Sequence, residues 1–161
     1  SVTSATLCDG MIASEKATFS TPFAALGVPP EGCSSVQFAR LMGQVNADRM
    51  LGNEGWKPTA EEALGVGLVQ WVAPHDKLAE ESLKIAREWI ASSAVRSYRG
   101  GSGRDELKAV NARESVDLAD AFLSPPFIKA QFSFLRSRKK WGPAAMFLAL
   151  LITRPLWSRL L

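Results

Sequence analysis

Glu31 is a lone carboxylate in a stiff, apolar stretch, a residue type that can move a proton. It stands in PFAALGVPPEGCSSVQF (residues 22–38), the sole acid among three prolines, two glycines and the apolar Phe23, Leu26 and Val28. A carboxylate in an apolar pocket loses hydration, which disfavours its charged form and brings its proton affinity nearer to neutral pH. That is the requirement for a proton shuttle. Pro29 and Pro30 fix φ and stiffen the approach, and the small Gly32 and Cys33 allow other atoms close. Ser34 or Ser35 can cap a following helix, whose first amides favour a negative group beside them. The same residues also describe an ordinary surface acid ahead of a helix, and residue physics leaves both readings open.

Other chemistry has less to work with. The chain has one histidine, His75, and two cysteines, Cys8 and Cys33. No ligand spacing suits zinc, and no metal site is expected. A lone histidine leaves few nucleophile pairs. The cysteines read as reduced, small intracellular side chains. Net charge is +3 over 161 residues, but the distribution is uneven. Four cations lie between Arg136 and Lys140, and after Glu114 the only acids are Asp117 and Asp120. This basic end suits an anionic ligand or lipid, or simply a solvated helix face. Nothing in it points to nucleic acid.

The elements that must position Glu31 follow from pattern. The first residues read as the end of a buried helix running into a short strand at residues 10–13. EKATFSTP reads as a second short strand ending at Pro22. The Glu31 loop leads to a helix from Ser34 with Val36, Ala39, Leu41 and Met42 inside, then a second short helix closed by Gly52. Thr59 and Glu62 form a capping box for a helix that stops at Gly65 and Gly67, followed by a strand over residues 68–72. Residues 79, 83, 86 and 90 mark the inner face of an amphipathic helix over 76–91. SYRGGSGR reads as a flexible break. Residues 106–123 form a helix, SPP at 124–126 breaks it, and 127–140 form another. This order predicts the later part of an α/β domain with a helical C-terminal region. Because the sequence opens within an element, a preceding part is expected. No signal peptide is read at Ser1. The apolar run 144–152 is too short to span a bilayer. With Phe147, Trp157 and flanking arginines, residues 141–161 suit either a packed extra helix or one lying on a membrane surface. The ending SRLL is displaced by one residue from an S-K-L address and is not read as one.

ATFSTPFAALGVPPEGCSSVQFARLMG (residues 17–43) resembles the enoyl-CoA hydratase/isomerase (crotonase) superfamily, in its enoyl-CoA isomerase branch. The frame A-T-F-x-T-P-F-x-x-L-G-x-x-P-E-G-C-S-S is long, ungapped and specific. PTAEEALGVGLVQWV, LKAVNARES (107–115) and FLRSRKK (134–140) resemble further family stretches, whereas residues 141–161 match none. The resemblance implies the C-terminal part of a crotonase-like spiral ββα core over 1–95, a helical trimerisation and coenzyme A-covering region over 96–140, and an extra tail helix over 141–161.

It also implies chemistry. The glutamate of P-E-G is that branch's catalytic acid/base and falls on Glu31. A 3-enoyl-CoA would bind with its thioester carbonyl in an oxyanion hole, lose a proton from C2 to Glu31, and regain it at C4. The hydratase branch uses two glutamates, which align with Thr3 and Phe23, so water addition is not expected. Phe23, Leu26, Pro30 and Gly32 would line the acyl pocket. Phe132, Lys139 and Lys140 would meet the adenine or phosphates of coenzyme A, with a solvated face as the alternative. The substrate carries the coenzyme, and no separate cofactor is implied. A homotrimer or hexamer in fatty-acid β-oxidation, in peroxisome or mitochondrion, follows from the same resemblance. Both oxyanion-hole amides are expected upstream of Ser1, so residues 1–161 alone are expected to be inactive. The alternative is a non-catalytic module that binds acyl-CoA or protein.

Overall fold

The computed structural model describes residues 2–160; Ser1, and Leu161 of the SRLL ending, lie outside them. Helix α1 (Val2–Ala5) turns into β1 (Ile12–Ser14). β1 pairs in parallel with β2 (Trp71–Ala73), Ile12 opposite Trp71 and Ser14 opposite Ala73. Between them come α2 (Phe23–Leu26), α3 (Ser34–Leu51) and α4 (Ala60–Gly65); after them come α5 (Leu78–Ala91), α6 (Arg104–Phe122), α7 (Pro125–Ser137) and α8 (Trp141–Trp157). The main core joins Phe38, Met42, Ala47 and Met50 of α3 to Ala60, Ala63, Leu68, Val69 and Ala13. Phe38 and Met50 are wholly buried, each stabilising by about 1.5–3 kcal/mol relative to exposure.

Several local expectations hold. The Thr59–Glu62 capping box is present in both directions, Glu62 N donating to Thr59 Oγ1 at 3.2 Å and Thr59 N to Glu62 Oε2 at 2.8 Å. Gly43, at φ 78° and ψ 155°, divides α3 into the two helices that the sequence suggests.

Others are corrected. EKATFSTP forms no strand: Thr18 makes a single antiparallel bridge to Thr59, and Thr21 Oγ1 instead donates to Met50 O at 2.8 Å. The second strand begins at Trp71 rather than Leu68. Leu68 and Val69 sit buried in the turn, both amides donating to Ala63 O. The stripe 79, 83, 86, 90 of α5 faces outward, with Leu83 56% and Ile90 78% exposed. α5 turns Ser82 and Ile85 inward instead, because Trp89 packs edge-on against Trp71 at 5.9 Å over Gly10, where any Cβ would lie 2.7 Å from the Trp89 ring. SPP opens α7 rather than only ending α6: Ser124 is the N-cap and the prolines take the first helical positions, where no amide donor is missed.

The stretch read as a flexible break is a clamp. Arg99 donates to Leu68 O at 2.9 Å and Gly67 O at 2.7 Å, and its own carbonyl accepts from Gln37 Nε2 at 2.7 Å. Ser102 donates to Gln37 Oε1 and accepts from Arg40 Nη1, each at 2.7 Å. Burial lowers the Arg99 pKa, yet its planar fork fits the two carbonyls left open where α4 ends. Glycines hid this role in the sequence.

Candidate functional site

The loop that carries Glu31 is held from three directions. From behind, α2 ends in the left-handed conformation at Gly27 (φ 67°), where a Cβ would lie 2.9 Å from the backbone of Pro126 and Phe127. The start of α7 therefore rests directly on this turn. Phe23 and Leu26 of α2 are buried and half-buried. From the N-terminal side comes Thr3, itself buried; its Oγ1 donates to Glu31 Oε1 at 3.3 Å. That is long for a hydroxyl donor, so it orients the carboxylate without clamping it.

The backbone then reverses over two left-handed residues, Gly32 (φ 69°) and Cys33 (φ 64°). At Gly32 a Cβ would come within 3.0 Å of Thr3 Oγ1, so glycine is needed there for both φ and space. Neither serine caps α3 in the expected way. Ser34 Oγ donates backward to Glu31 O at 2.8 Å, and Cys33 is the N-cap, its side chain making no capping bond.

The third direction is α6. Glu114, 4% exposed, accepts from Cys33 N at 2.7 Å and Ser35 N at 3.0 Å. It thus satisfies two open amides at the start of α3 and places a negative charge where the helix dipole favours one. Cys33 is locked in the same contact, with Sγ donating to Leu107 O at 3.3 Å. Burial, then the nearby Glu114 charge, raises the Cys33 pKa against a smaller opposing bond at Asn111, so it stays a thiol. On the outer side of the same helix pair, Arg40 donates to both oxygens of Glu106, Nη1 at 3.0 Å. That bond, with help from Gly103 N, holds Glu106 below the usual carboxylate range, and Glu106 in turn raises Arg40.

Glu31 is half-buried at this junction, beside a shallow pocket of about 340 Å³ that Pro30 lines with Ser35, Gln44 and Leu51. The arrangement brings together Thr3, Glu31, Gly32 and Pro30, with Phe23 and Leu26 on the preceding helix. Phe132 is half-buried on α7, while Lys139 and Lys140 are exposed in the turn to α8. Lys139 lies twelve residues beyond Phe127, about 18 Å along a helix. Among the described residues, no hydrogen bond or ion pair ties these three to the loop.

Glu114 is the functional residue that sequence reasoning missed. Its signal was there: with Leu107 and Val110 it falls at i, i+3, i+7, so an acid stands on the buried stripe of α6. An acid on such a stripe demands a partner.

The sequence pattern described as "Enoyl-CoA hydratase/isomerase" matches residues 2–100. The chain belongs to the enoyl-CoA hydratase/isomerase family. It is 36% identical over 154 residues to the rat protein "Enoyl-CoA delta isomerase 2", covering 87% of this chain and 37% of that one. To the human "Enoyl-CoA delta isomerase 2" it is 37% identical, over 87% and 36% of the two chains. To the mouse "Chromodomain Y-like protein" it is 50% identical over 137 residues, 82% of this chain and 23% of the other. This enoyl-CoA hydratase/isomerase chain therefore spans just over a third of the isomerases it matches. Its fold is the crotonase fold. The solved enoyl-CoA hydratase/isomerase of Pseudoalteromonas atlantica superposes with a TM-score of 0.69 at 30% identity, over 84% of this chain and 56% of that one. An enoyl-CoA hydratase of Mycobacterium avium gives 0.71 at 27%, over 84% and 57%. The small parallel sheet with its helical region is thus part of that fold.

Proposed function

We propose that Glu31 is the proton carrier of an enoyl-CoA isomerase that converts 3-enoyl-CoA to trans-2-enoyl-CoA. The observation that carries this reading is the surroundings of Glu31. Where the hydratase branch would place its two acids stand Thr3, which donates to Glu31, and Phe23, which is buried. Glu114, the acid that α6 brings to this loop, is occupied by two amides, and Asp48, across the Pro30 pocket, accepts from Gln44 Nε2 at 2.7 Å. Glu31 is the carboxylate we assign to the chemistry, and an isomerisation needs only one. Glu31 takes a proton from C2; the electron pair moves into a dienolate whose charge rests on the thioester oxygen. The same carboxyl returns the proton to C4 on the same face, and the double bond ends between C2 and C3. Thr3 fixes the direction of one carboxylate oxygen, and Pro29 and Pro30 keep the loop from following the substrate.

The test is Glu31→Gln in the protein that contains these residues, assayed with a 3-enoyl-CoA. Removing a general acid/base typically costs ~10²–10⁴ in kcat; the melting temperature is expected to stay within a degree or two. Unchanged turnover in the variant would overturn the assignment.

The 50% identity to a protein named for a chromodomain favours a second reading, a crotonase-like module that binds acyl-CoA or protein without turnover. A wild type that binds coenzyme A thioesters but leaves the double bond in place would select it.

A further inference from the structure

Helix α8 lies outside the residues matched by the family pattern. One side of it packs on α7: Ala144 is buried, and the Phe147 ring meets Phe127 at 6.4 Å. The other side is also apolar and faces outward. Trp141, Leu148, Ile152 and Leu156 follow at spacings of seven, four and four residues, which places them on one stripe. They are 65%, 38%, 69% and 71% exposed. A helix that is apolar all round is normally covered all round.

The charge of the surroundings says what cover fits. Beyond Asp120 the chain has seven Lys and Arg and no Asp or Glu. Lys129, Arg136, Arg138, Lys139, Lys140 and Arg159 are exposed. A second copy seated symmetrically on this stripe would bring the same basic patch against itself. A free nucleotide would neutralise Lys139 and Lys140 but leave Leu148 and Ile152 in water. An anionic lipid surface answers both features: acyl chains take the stripe and headgroups take the cations. Trp141 directly after Lys139 and Lys140 is the side-chain order of a membrane–water boundary. Among the described residues no helix is long and apolar enough to cross a membrane.

We propose that α8 lies in the surface of an anionic membrane, with Trp141, Leu148, Ile152 and Leu156 entering the acyl boundary and the basic turn 138–140 on the headgroups. This stands apart from the reading of Glu31.

Sedimentation of the 161-residue chain with phosphatidylcholine vesicles, with and without phosphatidylserine, tests it. Binding is expected with phosphatidylserine, weakening as salt rises. Ile152→Glu should abolish it while leaving the circular dichroism spectrum unchanged. Lys139→Gln with Lys140→Gln should weaken it by about five-fold per charge. No binding to the anionic vesicles would overturn the proposal. So would equal binding by Ile152→Glu, displacement by coenzyme A at constant ionic strength, or a mass that grows with protein concentration while the vesicles stay bare.

Discussion

The Glu31 loop and the α7–α8 hairpin are both short of regular sheet, yet they are held by opposite means. Besides the local Ser34 bond to Glu31 O, the loop's side-chain constraints come from far along the chain: Thr3 from 28 residues before Glu31, Glu114 from 79 and 81 residues after Ser35 and Cys33. Its polar groups are paired and its glycines are crowded. The hairpin is held chiefly by two helices adjacent in sequence, with Phe127 between Phe122 at 4.9 Å and Phe147 at 6.4 Å, and it leaves an apolar stripe in water. Distant constraints of this kind pre-organise a geometry, which suits the proton transfer proposed for Glu31. Local packing makes a helix but leaves its outer face available.

The sharpest way to break this contrast is at Glu114. Glu114→Ala leaves two amides of the α3 start without their acceptor, Cys33 N in a buried site and Ser35 N in a partly buried one. With each unmet group costing ~1–3 kcal/mol, a loss of about 3 kcal/mol in urea unfolding is expected. Glu114→Gln keeps an acceptor for one amide and should lose about half as much. If Glu31 carries the proton as proposed and the loop is held as described, kcat of the protein that contains these residues should fall in both variants and recover partly in the glutamine form. An unchanged midpoint in Glu114→Ala would show that the loop does not depend on α6.

How much of this was legible in the sequence depended on the range of the interaction. Local devices were readable: the Thr59–Glu62 box and the break at Gly43. Devices that act across the fold were not. Arg99 looked like part of a flexible tract because its two carbonyl partners lie more than thirty residues earlier. The α5 stripe was assigned the wrong side because a period of 3.6 identifies a face but not its neighbour, and Trp71 decided that. Glu114 was visible as an oddity on an apolar stripe, but its partners at Cys33 and Ser35 required the structure.

Two glycines sharpen the comparison by opposite signs. Gly32 has φ 69° and Thr3 3.0 Å from its missing Cβ, whereas Gly142 in α8 has nothing within 4 Å of its own. Gly32→Ala is expected to lower stability by ~1–2 kcal/mol, the cost of a side chain in the left-handed region, before the contact with Thr3 is counted. Gly142→Ala is expected to raise it by up to ~1 kcal/mol, the helix preference for alanine. Thermal melts of the two variants give the signs directly. Stabilisation in both would mean that Thr3 and the Gly32 turn yield to a methyl group, and the loop is softer than its bonding indicates.

The smallest effect is a pH dependence confined to one of the two regions. No Asp or Glu side chain follows Asp120, so acid titrates no carboxyl side chain of the hairpin. On the loop side, Arg40 holds the Glu106 carboxyl below its ordinary range. A group depressed in the folded state binds fewer protons there than in the unfolded chain. Its contribution is therefore whole above the unfolded value, about pH 4.3, and is lost as pH falls through the lower folded value. Both side chains are partly exposed, 31% and 45%, so solvent and salt keep the effect small. Glu106→Gln should flatten the acid limb of stability between about pH 4.5 and 3 while leaving neutral stability nearly unchanged. Added salt should do the same to the wild type. An acid limb unaltered in the variant would show that the Arg40–Glu106 pair does not carry the pH response.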